Sequence, residues 1–384
     1  MNYSITPPRW RARALAASLF FVLSGSLQAG ELLLFPALTL SRSYDNKANM
    51  DAADPMDPMA PVDPMAESTS KPAGHDEKER EFSKQIDIFY TADHGKLRLL
   101  FEALISDEHR TVERMHAGWR FDGNNTLWVG GYHNPLGYWN TQYHHGQHLQ
   151  TPIRRPMIVA YEHDNGILPM HVVGSWFEGG RPLNGEGILR YDVAAGVGPR
   201  LEEEEGLEHV AVQKPRSYGK LTMSTRLTYF PDATAETQAG VALGSTRIPI
   251  SGMEQTESRL KITGAFVNWE GKNIRLLGEL FHIRDEVIGM DETMQGSFIS
   301  GYGQLEYRLT SPFTLFGRLE ATAGGEDDPY LALSPGFSKK RQVIGIRYDL
   351  THNQALTLEG YRETPYHEPS KKKLNLQWSG TFSF

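Results

Sequence analysis

The chain has 384 residues, a formal net charge of −8 and no cysteine. The acidic balance offers no basic stripe for nucleic acid, and a chain this long can build a full core without disulfides. A negative mean hydropathy excludes a bundle of membrane-spanning helices, but not a membrane protein built from strands, because only alternate strand residues meet lipid.

In chain order, Arg9, Arg11 and Arg13 precede the apolar run Ala14 to Leu23, and small residues lead to Ala29. This is the pattern of a secretory signal peptide over 1–29, too short to span a bilayer as a helix. Residues 30–83 read as an N-terminal extension. Within it, residues 45–83 hold three Asp-Pro-Met units, at 54–56, 57–59 and 63–65. That composition cannot bury a core and predicts disorder. Its thioethers would suit a soft metal such as copper, although a low-complexity linker accounts for the same residues. Glu31 to Tyr44 could supply one additional strand.

From residue 84 to 384 the sequence alternates strand and turn. The expected strands are 84–92, 96–107, 109–122, 126–133, 156–162, 167–178, 187–197, 218–230, 235–247, 257–270, 273–287, 296–310, 313–324, 340–351, 354–363 and 373–384. They form an all-β fold, an antiparallel transmembrane β-barrel of sixteen strands, an even number as such barrels need. An eighteen-stranded alternative adds Glu31–Tyr44 and a second strand within Leu207–Gln213. Later connections on one rim are short (231–234, 271–272, 311–312, 352–353), and those on the other are longer. The segment 134–155 breaks this parity, because the count places a long connection on the short-turn rim.

Period-two patterning assigns faces. The inward candidates are Arg98 and Glu102 on the second strand, Arg226 on the eighth, and Arg259 and Lys261 on the tenth. The last third adds Glu306, Arg308, Arg318, Glu320, Arg347 and Asp349. The balance is basic. In a water-filled pore it would favour anions, unless these charges pair across strands.

The chemistry-rich segment is Trp128 to Gly174. Tyr138, Trp139, His144, His145, His148, Arg154 and Arg155 are candidates for a constriction loop. The three histidines are also candidate zinc or copper ligands, against a polar aromatic loop packed by Tyr138, Trp139 and Tyr143. No Gly-x-Ser-x-Gly or His-Glu-x-x-His frame occurs, so no catalytic residue, enzyme activity or cofactor is expected.

The chain ends on LNLQWSGTFSF. Leu374, Leu376, Trp378, Phe382 and Phe384 alternate with Asn375, Gln377, Ser379 and Thr381. This resembles the closing strand of Gram-negative outer-membrane β-barrels, in which Trp378, Phe382 and Phe384 would act as the assembly signal. The stretch from Trp128 to the Arg154-Arg155-Pro156 run resembles phosphate-selective and related porins. The resemblance implies an outer-membrane channel for small hydrophilic solutes. It also implies lipid, lipopolysaccharide and the barrel-assembly machinery as partners, with homo-oligomers possible. A metal-linked barrel using the Met-rich and His-rich segments, and a plugged barrel that docks a partner, are the alternatives.

Overall fold

In a computed structural model, the described residues are 30–44 and 80–384, apart from 108–109, 122–123, 144–145, 163–164, 184, 186, 204–205, 233–235 and 367–368. The signal-peptide reading and the Asp-Pro-Met units lie outside them.

Sixteen antiparallel strands close into a barrel. They are β1 (Glu31–Ser43), β2 (Arg80–His94), β3 (Leu97–Ser106), β4 (Arg110–Arg120), β5 (Thr126–His133), β6 (His171–Pro182), β7 (Ile188–Val197) and β8 (Leu221–Phe230). Then come β9 (Gln238–Ser251), β10 (Gln255–Glu270), β11 (Ile274–Gly289), β12 (Thr293–Thr310), β13 (Phe313–Ala323), β14 (Ser338–Thr351), β15 (Gln354–Pro365) and β16 (Lys371–Gly380, resuming at Phe382–Ser383). Each pairs with its chain neighbours, and β16 pairs with β1 to close the sheet, for example Leu40 opposite Leu376. Backbone hydrogen bonds between Leu32 and Phe384 finish the seam. Closure leaves no edge strand, which is what lets a sheet sit in lipid.

The expected number of strands is reached by a different route. Glu31–Ser43 is a wall strand, so the barrel begins inside the expected extension. The expected strand 156–162 does not form: Pro156 opens a single 3-10 turn, Met157–Val159. Nor does Leu207–Gln213 span; among the described residues its one ladder joins Gly206–Leu207 to Leu201–Glu202. A short apolar run reads alike as a buried strand or a buried loop. With these two changes, 134–170 connects β5 to β6 on the same rim as the other long connections, 198–220 and 324–337. The parity conflict disappears. The opposite rim carries the tight turns at 95–96, 311–312 and 352–353.

Alternation gives the wall an apolar exterior. Leu227, Val241, Leu243, Leu280, Leu305, Leu319, Ile344, Leu358 and Leu376 are exposed on it. Trp119, Tyr229, Trp269, Tyr307, Phe313 and Tyr348 are exposed near the short-turn rim and form an aromatic girdle. Leu374, Leu376 and Trp378 face out while Asn375, Gln377 and Ser379 are buried inside, as expected of the closing strand.

Candidate functional site

The connection 134–170 folds into the barrel, and almost every described residue in it is buried or half-buried. Asparagines seal its base. Asn134 donates to the Pro169 carbonyl, Asn140 to the Asn134 carbonyl, and the Ser224 hydroxyl to Asn134 Oδ1. Gly137 then turns the chain at φ +77, where a Cβ would lie 1.9 Å from Glu279 Oε2. Only glycine fits both that backbone conformation and that approach.

From there, wall residues hold the loop by its backbone. Glu279 accepts the Tyr138 and Trp139 N–H groups at 2.7 and 2.8 Å, and the Tyr302 hydroxyl at 2.7 Å. Arg226 donates to the Gly137 carbonyl and the Thr141 hydroxyl. Gly146 packs against Phe35 on the far wall. Arg347 donates to the His148 and Gln150 carbonyls at 2.7 and 2.8 Å. On the return, Glu306 accepts from the Thr151 hydroxyl, Glu359 from the Ile153 N–H, and Glu320 from the Met157 N–H. The loop thus crosses the lumen and is pinned by charges on at least five strands. A loop buried this way must have its backbone groups satisfied, and here the wall supplies the partners.

The same bonds place the expected inward residues. Arg226, Glu306, Arg318, Glu320 and Arg347 do face the lumen, and they bind the loop or one another: Arg318 pairs with Glu320 at 2.8 Å, and Arg347 with Asp349 at 2.8 Å. Glu102 is fully buried, pairs with Arg114 and lies 4.0 Å from His133. Arg98 bonds Asp93 at 3.1 Å and lies over the Trp128 ring. Arg154 lies over Tyr361, 3.6 Å from Glu363, and Arg155 lies over Tyr161. Tyr138 and Trp139 are buried in the apolar core beside Phe266 and Tyr302. Burial lifts the Tyr138 and Tyr143 phenols above their ordinary range, so both stay neutral.

Of the histidine trio, His144 and His145 lie outside the described residues. His148 is buried against the backbone of His352 and Ser379, and burial with Arg347 beside it lowers its imidazole. Among the described residues no other metal-type ligand joins it in a cluster.

Two polar chambers flank the loop. One, of about 420 Å³, is lined by β1, β2, β14, β15 and β16 together with Gln147 and Arg154–Met157. Its charged walls carry Arg154, Arg155, Arg341, Lys371 and Lys373 against Glu81 and Glu363. The other, of about 220 Å³, opens by the 271–273 turn and is lined by Arg275, Glu306, Arg308, Arg347 and Asp349. Gln147 borders the first, and Leu149 and Thr151 border the second. The partition between them is therefore the 147–151 segment.

No protein-family model and no curated protein matches the chain. Solved structures do match its fold. An anion-selective porin from Comamonas acidovorans aligns at TM-score 0.55 and 10% identity, over 93% of this chain and 99% of that one. The outer membrane channel DcaP of Acinetobacter baumannii aligns at 0.54 and 9%, over 93% and 97%. OmpF of Salmonella typhi aligns at 0.53 and 10%, over 91% and 97%. The fold is that of an outer-membrane porin. With its apolar belt and aromatic girdle, it places the chain in a Gram-negative outer membrane.

Two expected pore residues do not line the lumen. On β10 the buried face is Leu260, Ile262, Gly264 and Phe266, and Arg259 and Lys261 point outward. The apolar face packs on the inward loop, which inverts the usual reading. Arg247 on β9 and Arg284 on β11 also point outward; Arg247 sits opposite Arg259, and Lys261 opposite Arg284. The residues that anchor the loop, Glu279, Glu359, Arg275 and Arg341, were not expected. Their signal was there to use: Glu279 is a lone carboxylate between Leu277 and Phe281.

Proposed function

We propose that the chain is a passive diffusion channel for small hydrophilic solutes, entered through a vestibule that favours anions. The observation that carries this is the 420 Å³ chamber, with five cationic side chains to two carboxylates. Low-dielectric walls focus that field, raising the local concentration of anions before the constriction. The inward loop sets the bore at 147–151, and Arg347 holds that segment by two carbonyls. Permeation of this kind needs no nucleophile, base or cofactor, and we read the chain as a transporter without enzymatic activity. Residues 1–29 serve as its export signal.

Planar-bilayer recording of the folded protein in a salt gradient tests the proposal. Discrete conductance steps and a reversal potential on the anion side are expected. A folded barrel that passes no current removes the channel reading, and a cation-side potential removes the anion preference.

The outward cations support a lipid partner. Like charges directly opposite one another across a ladder are unfavourable, and Arg247, Lys261 and Arg284 make no ion pair among the described residues. Their strands run from the rim of the long connections into the apolar belt, and we read these cations as lying at the level of the outer-leaflet headgroups. Lipopolysaccharide phosphates supply the missing counter-charge. Assembly through the barrel machinery, guided by Trp378, Phe382 and Phe384, and homo-oligomer formation complete this reading.

A further inference from the structure

One buried cluster takes no part in the channel. Glu113 on β4, His171 at the head of β6 and His209 in the connection 198–220 are each at most 6% exposed. One ligand atom from each lies within 4.8 Å of the other two. A β-bulge delivers the carboxylate: Val112 pairs with Ala103 and Arg114 with Glu102, which leaves Glu113 as the extra residue. Glu113 and Arg114 are therefore consecutive and both buried, where a regular strand would turn one of them out.

The second polar atom of each side chain is already engaged. The Thr111 hydroxyl donates to Glu113 Oε1. His171 Nδ1 lies 2.6 Å from Glu162 Oε2, and Glu162 Oε1 accepts the His171 backbone N–H. His209 Nε2 faces the Val112 carbonyl at 3.4 Å. A carbonyl only accepts, so His209 carries its hydrogen on Nε2. The remaining atoms then converge: His171 Nε2 is 3.0 Å, and His209 Nδ1 3.9 Å, from Glu113 Oε2. A proton shared by His171 and Glu113 would satisfy that pair alone. His209 Nδ1 would still be buried without a hydrogen-bond partner, its lone pair turned toward a carboxylate.

We propose that Glu113, His171 and His209 form a binding site for a divalent transition-metal ion of the zinc class, with Glu162 as the outer carboxylate that orients His171. Two imidazoles and a carboxylate are a known zinc donor set, and a carboxylate behind a ligating imidazole fixes its tautomer and raises its basicity. Tetrahedral zinc at about 2.0 Å from each donor needs donors roughly 3.3 Å apart. The Glu113–His171 pair stands near that spacing; His209 must approach Glu113 by less than an ångström, and the two imidazole nitrogens, up to 4.8 Å apart, must close by about 1.5 Å. The ion would tie the 198–220 connection and the returning arm of the inward loop, through Glu162, to the wall at β4 and β6. The site shares no residue with the Asp-Pro-Met units or with His144, His145 and His148.

The test uses the full mature barrel, folded in detergent without a polyhistidine tag and stripped with chelator. Zn(II) and Co(II) are titrated in, with metal analysis for stoichiometry and Co(II) ligand-field absorption for geometry. One ion per chain, with a tetrahedral Co(II) spectrum displaced by Zn(II), is expected. Glu162→Gln should weaken binding by roughly 10- to 100-fold, and His209→Gln by more, with heat-modifiable gel migration confirming that each variant is folded. Wild-type barrel that retains no stoichiometric metal overturns the proposal. So does binding that folded His209→Gln leaves unchanged, because the ion then sits elsewhere.

Discussion

The two sides of this barrel wall solve different problems. From β9 to β12 the inner face is largely apolar: Ile248, Leu260, Ile262, Phe266, Leu277, Phe281 and Phe298 are buried against the inward loop. From β14 through β16 to β1 and β2 it is polar, and Thr39, Ser41, Gln85, Asn375 and Gln377 line the vestibule with the cations. The first side behaves as a two-sided sheet, with lipid outside and a protein core inside. The second behaves as a pore wall, lipid outside and water inside. A strand's alternation reports which two faces it has, and the wall's neighbours decide which face is inward.

The largest effect is expected on the packed side. Glu279 is the hub there, accepting from two loop N–H groups and one phenol. Glu279→Ala leaves three buried donors without an acceptor, at about 1–3 kcal/mol each. Urea unfolding of the micelle-folded protein should show a loss of at least about 3 kcal/mol, and bilayer recording a noisier, larger conductance as the loop loosens. A loss below about 1 kcal/mol would mean that apolar packing alone holds the loop.

The same contrast marks where the sequence was legible. On β13 and β14 the charges alternate with lipid-facing apolar residues, so the period alone assigns Arg318, Glu320, Arg347 and Asp349 to the inner face, where Arg318 pairs with Glu320 and Arg347 with Asp349. The closing strand and the even strand number followed from the same period. On β10 the rule inverted, because Leu260, Ile262 and Phe266 cover a loop and Arg259 and Lys261 point outward. Nothing local distinguishes those cases; the difference arises 100 residues away, in the apolar content of 134–170. The expected strand 156–162 fails for the same reason. It is apolar because it is the core of a loop. The cluster of Glu113, His171 and His209 was out of reach, since a bulge and two distant connections assemble it.

The next effect concerns the outward cations that this inversion exposes. If Lys261 and Arg284 meet lipopolysaccharide phosphates, removing both costs about 1 kcal/mol per cation. The Lys261→Ala/Arg284→Ala double variant should then bind lipopolysaccharide about 30-fold more weakly in a micelle titration, with unchanged folding in detergent. Equal binding would return these residues to plain solvent exposure.

The smallest effect in energy isolates the polar side. Lys371 and Lys373 line the vestibule, as does Arg341, which also donates to the Arg155 carbonyl. Lys371→Glu/Lys373→Glu exchanges two cations for two anions at the vestibule wall, so carboxylates there would outnumber the three remaining cations. The focused field reverses, and the anion-to-cation permeability ratio should fall by at least about tenfold, read as a reversal potential that crosses to the cation side. The matched control applies the same charge change to the packed side's exterior, as Lys261→Glu/Arg284→Glu. There a full strand thickness and a protein core separate the new charges from the water path, and screening beyond about 10 Å at 0.1 M salt removes their reach. The control should leave the reversal potential where it was. Were both variants to shift it equally, the vestibule would not be the selective element, and the distinction between a packed and a conducting side would fail with it.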